Sequence, residues 1–186
     1  GIATDGKHVY MQATSQLAKY DLEGKLLAKS PQLTPHHGGI TYNDGKVYAA
    51  VSECRKEGTE VHAVYVYDAE TLKRVGEYDI HEYFDTCAGG IAYYDHHFYV
   101  AESYFDNDHQ DYIVKFDEDF KYVESYKPDF KSPFGIQGLA YLPELGKFML
   151  NSHAKAFYLI SPDFDNATIE LGEADFELQD VAYLNA

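Results

Sequence analysis

Histidine, carboxylate and amide side chains recur where short apolar segments of this chain begin or end. Imidazole together with carboxylate suits Zn²⁺ or a similar ion, whereas oxygen donors alone suit Ca²⁺. A bound divalent ion polarises a carbonyl group or activates a water molecule, and a spare carboxylate or imidazole then acts as general base. These side chains are spread through the whole chain, so the chemistry depends on elements that bring them together. The candidates are Gln12, His36, His37, Glu53, Glu102, Gln137, Asn151, His153 and Asp180.

The elements that must position them form a repeat. An apolar opening falls at Ile2, Ile40, Ile91, Leu139 and Val181, with spacings of 38, 51, 48 and 42 residues. Each of the first four openings is followed by a tight turn, an aromatic-rich strand and a third strand. A period in the forties that is built only from short strands is typical of a β-propeller, in which each repeat is one four-stranded blade.

The turns between the strands carry their own signals. Asp44-Gly45 is a dipeptide that closes two-residue hairpins, because it tolerates positive φ. Aspartates recur after the third strand at Asp21, Asp68 and Asp117. We predict that these carboxylates accept backbone N–H bonds and build the turns, with no part in function.

We therefore predict an all-β fold, a β-propeller of four four-stranded blades with a fifth partial repeat. The blades are predicted at about 1–33, 34–84, 85–132 and 133–175, and 176–186 is predicted as an extra strand that repeats the first strand of a blade. Three arrangements of the ends are open. One copy of the duplicated strand is displaced from a closed four-bladed ring, the chain is a fragment of a larger ring such as a five-bladed one, or a second molecule closes the ring by self-association.

Propeller geometry gathers the candidates at one end of the central tunnel. The innermost strand begins on the face where its antiparallel neighbour ends, and the candidates lie at those beginnings and ends. The alternative is that these polar groups line the tunnel and bind water alone. The predicted roles fall into three sets: metal ligands His37, Glu102 and His153; catalytic residues His36 and Glu53; and substrate-binding residues Gln12, Gln137, Asn151 and Asp180.

Two stretches carry a resemblance to known propellers. The run from Gly39 to Tyr48, Gly-Ile-Thr-Tyr-Asn-Asp-Gly-Lys-Val-Tyr, and the run from Gln137 to Tyr141 resemble the broad superfamily of gluconolactonase, paraoxonase and NHL-repeat propellers. That resemblance implies a calcium-associated or enzyme-bearing propeller. Those families usually have six blades, and this chain is too short for six.

Composition excludes some partners. The chain has 15 basic and 31 acidic residues, a net charge of −16, which argues against nucleic acid and anionic membrane surfaces as partners. Its apolar runs are too short to span a bilayer. Cys54 and Cys87 are predicted near each other, either as a disulfide, as a thiolate ligand or as two unpaired thiols. The compartment stays open, with a secreted or periplasmic location favoured.

Two functions are open at this point. The first is a metal-assisted hydrolase, lactonase or lyase that acts on a small organic or saccharide substrate at the tunnel mouth with a bound Zn²⁺ or Ca²⁺. The second is a non-catalytic binding module that takes a small-molecule, glycan or protein ligand on its acidic rim and long loops.

Overall fold

A computed structural model describes residues 1–33, 35–53, 61–104, 108–164 and 169–184. About 60% of the described residues lie in β-strands; they include a short 3₁₀ turn, His81–Tyr83, but no α-helix. None of them forms a helix that is long and apolar enough to cross a membrane. The strands are β1 (Ile2–Thr4), β2 (His8–Ala13), β3 (Gln16–Asp21), β4 (Leu26–Lys29), β5 (His36–Asn43), β6 (Lys46–Glu53), β7 (Val61–Asp68), β8 (Arg74–Asp79), β9 (Cys87–Tyr94), β10 (His97–Ser103), β11 (Ile113–Phe116), β12 (Tyr122–Tyr126), β13 (Gly138–Leu142), β14 (Lys147–Asn151), β15 (Ala154–Ile160) and β16 (Ile169–Leu178).

The strands form four antiparallel sheets of four strands each, arranged in a ring like a four-bladed propeller. Blade one is β1–β4, blade two β5–β8, blade three β9–β12 and blade four β13–β16. The sequence-based prediction of an all-β propeller with four blades is confirmed. The last strand of blade four runs to Leu178, further along the chain than the repeat indicated.

Local turn chemistry explains why the strands fold back where they do. Asp44 and Gly45 both have positive φ, 43° and 73°, as a two-residue hairpin turn requires. The carboxylate of Asp68 accepts the N–H of Thr71 at 2.8 Å, and that of Asp117 accepts the N–H of Lys121 at 2.9 Å. The prediction that these aspartates build turns is confirmed.

Alternation of side chains along each strand gives every blade two apolar faces, and the blades stack through them. Tyr10 and Leu17 of blade one pack with blade two, Phe98 of blade three packs with blade two, and Phe148 of blade four packs with blade three. Most of these positions are aromatic or β-branched, which suits the half-buried pleated surface of a strand. The core is thus distributed between blades rather than gathered at one centre.

The four inner strands, β1, β5, β9 and β13, line a central cavity of about 240 Å³. A fifth segment, residues 181–183, lines it with them although it forms no strand. Both copies of the duplicated motif therefore lie on the channel, and neither is displaced from it. The inner strands begin at one end of the channel, which we call the channel mouth; the residues that line the cavity lie further along these strands.

Candidate ligand-binding site at the channel mouth

Backbone packs against backbone around the channel mouth. A β-carbon on Gly38 would lie 2.5 Å from the carbonyl oxygen of Gly89, closer than real side chains approach, so only glycine fits there. A β-carbon on Gly90 would lie 2.9 Å from the carbonyl carbon of Gly138, and one on Gly1 would lie 3.0 Å from the carbonyl oxygen of Gly38. We call these five residues the glycine collar. It narrows the mouth and brings neighbouring inner strands within contact of one another.

Asp180 lies next to the glycine collar and links blade four to blade one. Its carboxylate accepts the N–H of Ile2 at 2.7 Å and the N–H of Val181 at 2.8 Å. Although the residue as a whole is only partly buried, its carboxyl group is enclosed, and this burial raises its pKa to about 7. The positive N-terminal amino group and the N–H donors act in the opposite direction, but burial prevails.

Asn151 lies beside Asp180 with an amide that has no hydrogen bond. Asn151 ends β14 opposite Gly138, and a β-carbon on Gly138 would lie 2.5 Å from both Asn151 Oδ1 and Asp180 Oδ1. Its exposed fraction is 1%, yet within the described part of the chain neither Oδ1 nor Nδ2 has a partner. The hydroxyl of the next residue, Ser152, is likewise buried and unpartnered there. Buried polar groups are nearly always hydrogen-bonded, so this amide is an exception that calls for an explanation.

The two glutamines predicted to bind substrate lie at the channel mouth, and each already makes hydrogen bonds to the backbone. Gln12 donates its side-chain amide to the carbonyl oxygen of Ala13 at 2.7 Å, which leaves its Oε1 buried without a partner among the described residues. Gln137 donates its side-chain amide to the carbonyl oxygen of Phe134 at 2.9 Å, and its backbone N–H bonds the Asn151 carbonyl oxygen at 2.8 Å. Gln137 therefore holds the end of β14 in place.

His37 points away from the channel, between blades one and two. Its Nε2 lies 2.8 Å from the hydroxyl of Tyr67, and its ring packs edge-on against Tyr65. Both tyrosines belong to the third strand of blade two, outside the inner strand. Burial lowers the pKa of His37 to about 4, so the imidazole is neutral at pH 7. This is the environment of a core histidine.

Glu102 is buried and its carboxylate is already engaged. Oε1 accepts the N–H groups of Asp85 and Thr86 at 2.9 and 2.8 Å and the hydroxyl of Thr86 at 3.0 Å, and Oε2 accepts the hydroxyl of Tyr104 at 3.2 Å. These bonds tie the segment before β9 to the end of β10. The contacts of Glu102 are those of a residue that shapes the loop.

The third predicted metal ligand lies in yet another blade. His153 is exposed, with Nδ1 3.9 Å from Glu177 Oε1 and its ring edge-on to Phe134. His37, Glu102 and His153 thus have three separate surroundings. Across the described ranges, no three or more His, Cys, Asp or Glu side chains are placed to hold a metal ion together.

The two predicted catalytic residues lie on blade two. His36 is exposed and pairs with Ser52 across β5 and β6, and Glu53 is partly exposed at the last position of β6. Cys87 is disulfide-bonded, and Cys54, the other cysteine of the chain, lies outside the described residues.

A larger cavity of about 580 Å³ opens on the same face, beside Glu102. Its lining includes Tyr83, Tyr104 and Tyr112, together with Asp85 and Lys127. Tyrosine rings offer an apolar face and a hydroxyl group, which is a suitable lining for a ligand that has both apolar and hydroxylated surfaces.

No known protein family matches the chain, and no curated protein matches it. The resemblance to the gluconolactonase, paraoxonase and NHL-repeat superfamily therefore extends to the propeller arrangement and no further.

Sequence reasoning named Asn151 and Asp180 but missed what surrounds them. The glycine collar was visible as Gly-Gly pairs at the strand openings, and the close approach that those pairs permit was the available signal. Ser152 and Tyr67 carried no such signal, because a serine after a strand and a tyrosine within one are both common.

Proposed function

We propose that this protein binds a small polar molecule at the channel mouth, as a ligand-binding propeller. The observation that carries the proposal is the buried amide of Asn151, whose donor and acceptor have no partner within the described chain although they lie beside the Asp180 carboxylate. An unpaired buried amide costs about 1–3 kcal/mol. A ligand that bonds both of its atoms would remove that penalty.

The groups at the mouth favour an uncharged, hydroxyl-rich ligand such as a monosaccharide or a cyclic polyol. A hydroxyl group both donates and accepts, so adjacent hydroxyls of one ligand can bond Asn151 Oδ1 and Nδ2 together. The Asp180 carboxyl group and the net charge of −16 disfavour anions. The tyrosine-lined cavity on the same face supports the same class of ligand.

Thermal unfolding with and without sugars tests this proposal. We would compare the wild type, Asn151→Leu and Leu150→Met in glucose, galactose, ribose and myo-inositol, each at about 100 mM; a ligand present at 100 times its Kd adds about 2.7 kcal/mol to the free energy of unfolding. Sugars stabilise all proteins to some degree by exclusion from the surface, and the variants measure that background.

The expected result is a rise in the wild-type midpoint of about 5–10 °C in at least one sugar, kept in Leu150→Met and lost in Asn151→Leu. Leu150 is a matched control because it is buried in the same strand but faces the core between blades three and four. If all three proteins respond equally to every sugar, the proposal fails.

A second candidate is hydrolysis of an ester, lactone or glycoside bound at the same mouth. What supports it is Asp180, because a carboxyl group whose pKa is about 7 can take up and release a proton near neutral pH. Asp180 and Asn151 Oδ1 offer oxygen donors, which would suit Ca²⁺ better than Zn²⁺. Elemental mass spectrometry of the wild type and of Asp180→Asn tests this: one equivalent of calcium in the first and none in the second supports metal assistance, and no metal in either refutes it.

A further inference from the structure

The packing around the ring is interrupted between blade four and blade one. Three apolar cores join blade one to two, two to three and three to four. The described residues form no fourth core between blades four and one. Blade four and blade one therefore each have one face that, among the described residues, packs into no core between blades.

The uncovered face of blade one shows this at matched positions. Met11 pairs with Ile2 across β1 and β2, and the residues in the same register of the next blades are Ala49, Val100 and Leu150. Those three are 0% exposed, whereas Met11 is 48% exposed. The same strand position is therefore core in three blades and surface in one.

Blade four has the complementary uncovered face. Met149, which pairs with Ala140, occupies the register position of Tyr10, Tyr48 and Tyr99. The three tyrosines are buried in the cores between blades, whereas Met149 is partly exposed. Its neighbours across the sheet on that face include Leu159, also apolar and partly exposed.

The inner position between these faces is already occupied by residues 181–183, which line the channel with the four inner strands. Asp180 contacts Gly138 at the start of β13 and bonds the N–H of Ile2 in β1. Residues 181–183 then follow the channel as the inner strands do, with the sequence Val-Ala-Tyr that matches Leu139-Ala140-Tyr141. In each complete blade the inner strand pairs with a second strand, but 181–183 pair with none in the described structure.

We propose that the space between these faces receives a three-stranded antiparallel β-sheet from outside residues 1–186, which pairs with 181–183 and completes a fifth blade. Such a sheet needs apolar side chains on both faces, to cover Met11 on one side and Met149 on the other. A second copy of this chain does not fit, because each of its blades brings an inner strand of its own and that position is taken. Strand addition to an open edge supplies backbone hydrogen bonds, and the two apolar faces supply burial.

A fusion protein tests the proposal with a sheet of known sequence. Residues 142–178 are joined directly after Tyr183, so that the copy of blade four's outer strands continues from Val-Ala-Tyr in register. Met11→Asp is then made in the fusion and in the original chain. We expect Met11→Asp to lower the unfolding midpoint by more than about 5 °C in the fusion, where the aspartate is buried, and by less than about 2 °C in the original chain.

Three outcomes would overturn the proposal. The first is an equal effect of Met11→Asp in both proteins. The second is a dimer of the original chain, by light scattering, that Met11→Asp dissociates, since the occupant would then be a second copy.

The third outcome needs no fusion and so remains decisive if the fusion fails to fold. Amide hydrogen exchange of the original chain should show Ala182 exchanging at least about 100 times faster than Ala92, the matching inner-strand residue of blade three, which pairs with Tyr99 of β10. Equal protection would mean that 181–183 already have strand partners.

Discussion

Replacing Asn151 by leucine should stabilise the protein when no ligand is present. The amide is 1% exposed, and both of its polar atoms lack partners in the described chain. Burying an amide without hydrogen bonds costs about 1–3 kcal/mol, and leucine has nearly the same size without a polar group. We therefore expect the free energy of unfolding to rise by about 1–2 kcal/mol, after allowance for imperfect packing of the branched side chain.

Urea and thermal unfolding, followed by circular dichroism, measure this change. For a chain of this length 1 kcal/mol corresponds to about 2–4 °C, so the midpoint should rise by about 2–8 °C. Asn151→Asp is the opposite perturbation, because it buries a second carboxyl group next to Asp180, and it should destabilise the protein by at least about 2 kcal/mol. Leu150→Met, in the same strand, should change stability by less than about 1.5 kcal/mol.

A loss of more than about 1 kcal/mol in Asn151→Leu would refute the reasoning. That result would mean that the amide is satisfied in the free protein by bound water. The main argument for a ligand at the mouth would then fall together with the stability prediction, so this measurement comes before any search for ligands.

Three further predictions concern other parts of the molecule. Phe148→Ala, in the core between blades three and four, should lower the free energy of unfolding in urea by about 3–5 kcal/mol, whereas Phe176→Ala at an exposed position should lower it by less than about 0.5 kcal/mol. Similar losses in the two variants would mean that the core is not where the structure places it. Glu102→Ala leaves the N–H groups of Asp85 and Thr86 without acceptors, so it should lower the free energy of unfolding by about 2–3 kcal/mol and speed amide exchange at Thr86. Glu102→Gln should be intermediate, and unchanged exchange at Thr86 would contradict the anchoring role. Because the pKa of His37 is about 4 in the folded protein and 6.5 when unfolded, the unfolded chain takes up the proton first and stability falls as pH drops through this window, by roughly 3 kcal/mol. His37→Gln should remove that part of the slope, and parallel pH profiles of the two proteins would show that burial does not govern this histidine.

Strand polarity was enough to predict that Asn151 and Asp180 lie close together, whereas the direction of the His37 side chain was not predictable from the sequence. Asn151 and Asp180 meet because one ends a second strand and the other precedes an inner segment, and those positions lie on the same face of any propeller. His37 lies at an equally suitable position, but the register shift between His37 and Ile40 in β5 accompanies a ring that faces Tyr67 and the space between blades. A bulge re-aims a side chain, and the sequence carries no clear sign of it.

The sequence by itself determined the strands, the turns and the number of complete blades. These depend on local physics: alternation of apolar residues with a period of two, and carboxylates and glycines that stabilise tight turns within a few residues. Only the tertiary structure decided that the channel has five inner positions while, among the described residues, three apolar cores join the four blades. That outcome depends on how closely the backbones approach at the glycine collar and on which N–H groups Asp180 accepts. These contacts join residues as far apart in sequence as Ile2 and Asp180, and local sequence patterns do not specify them.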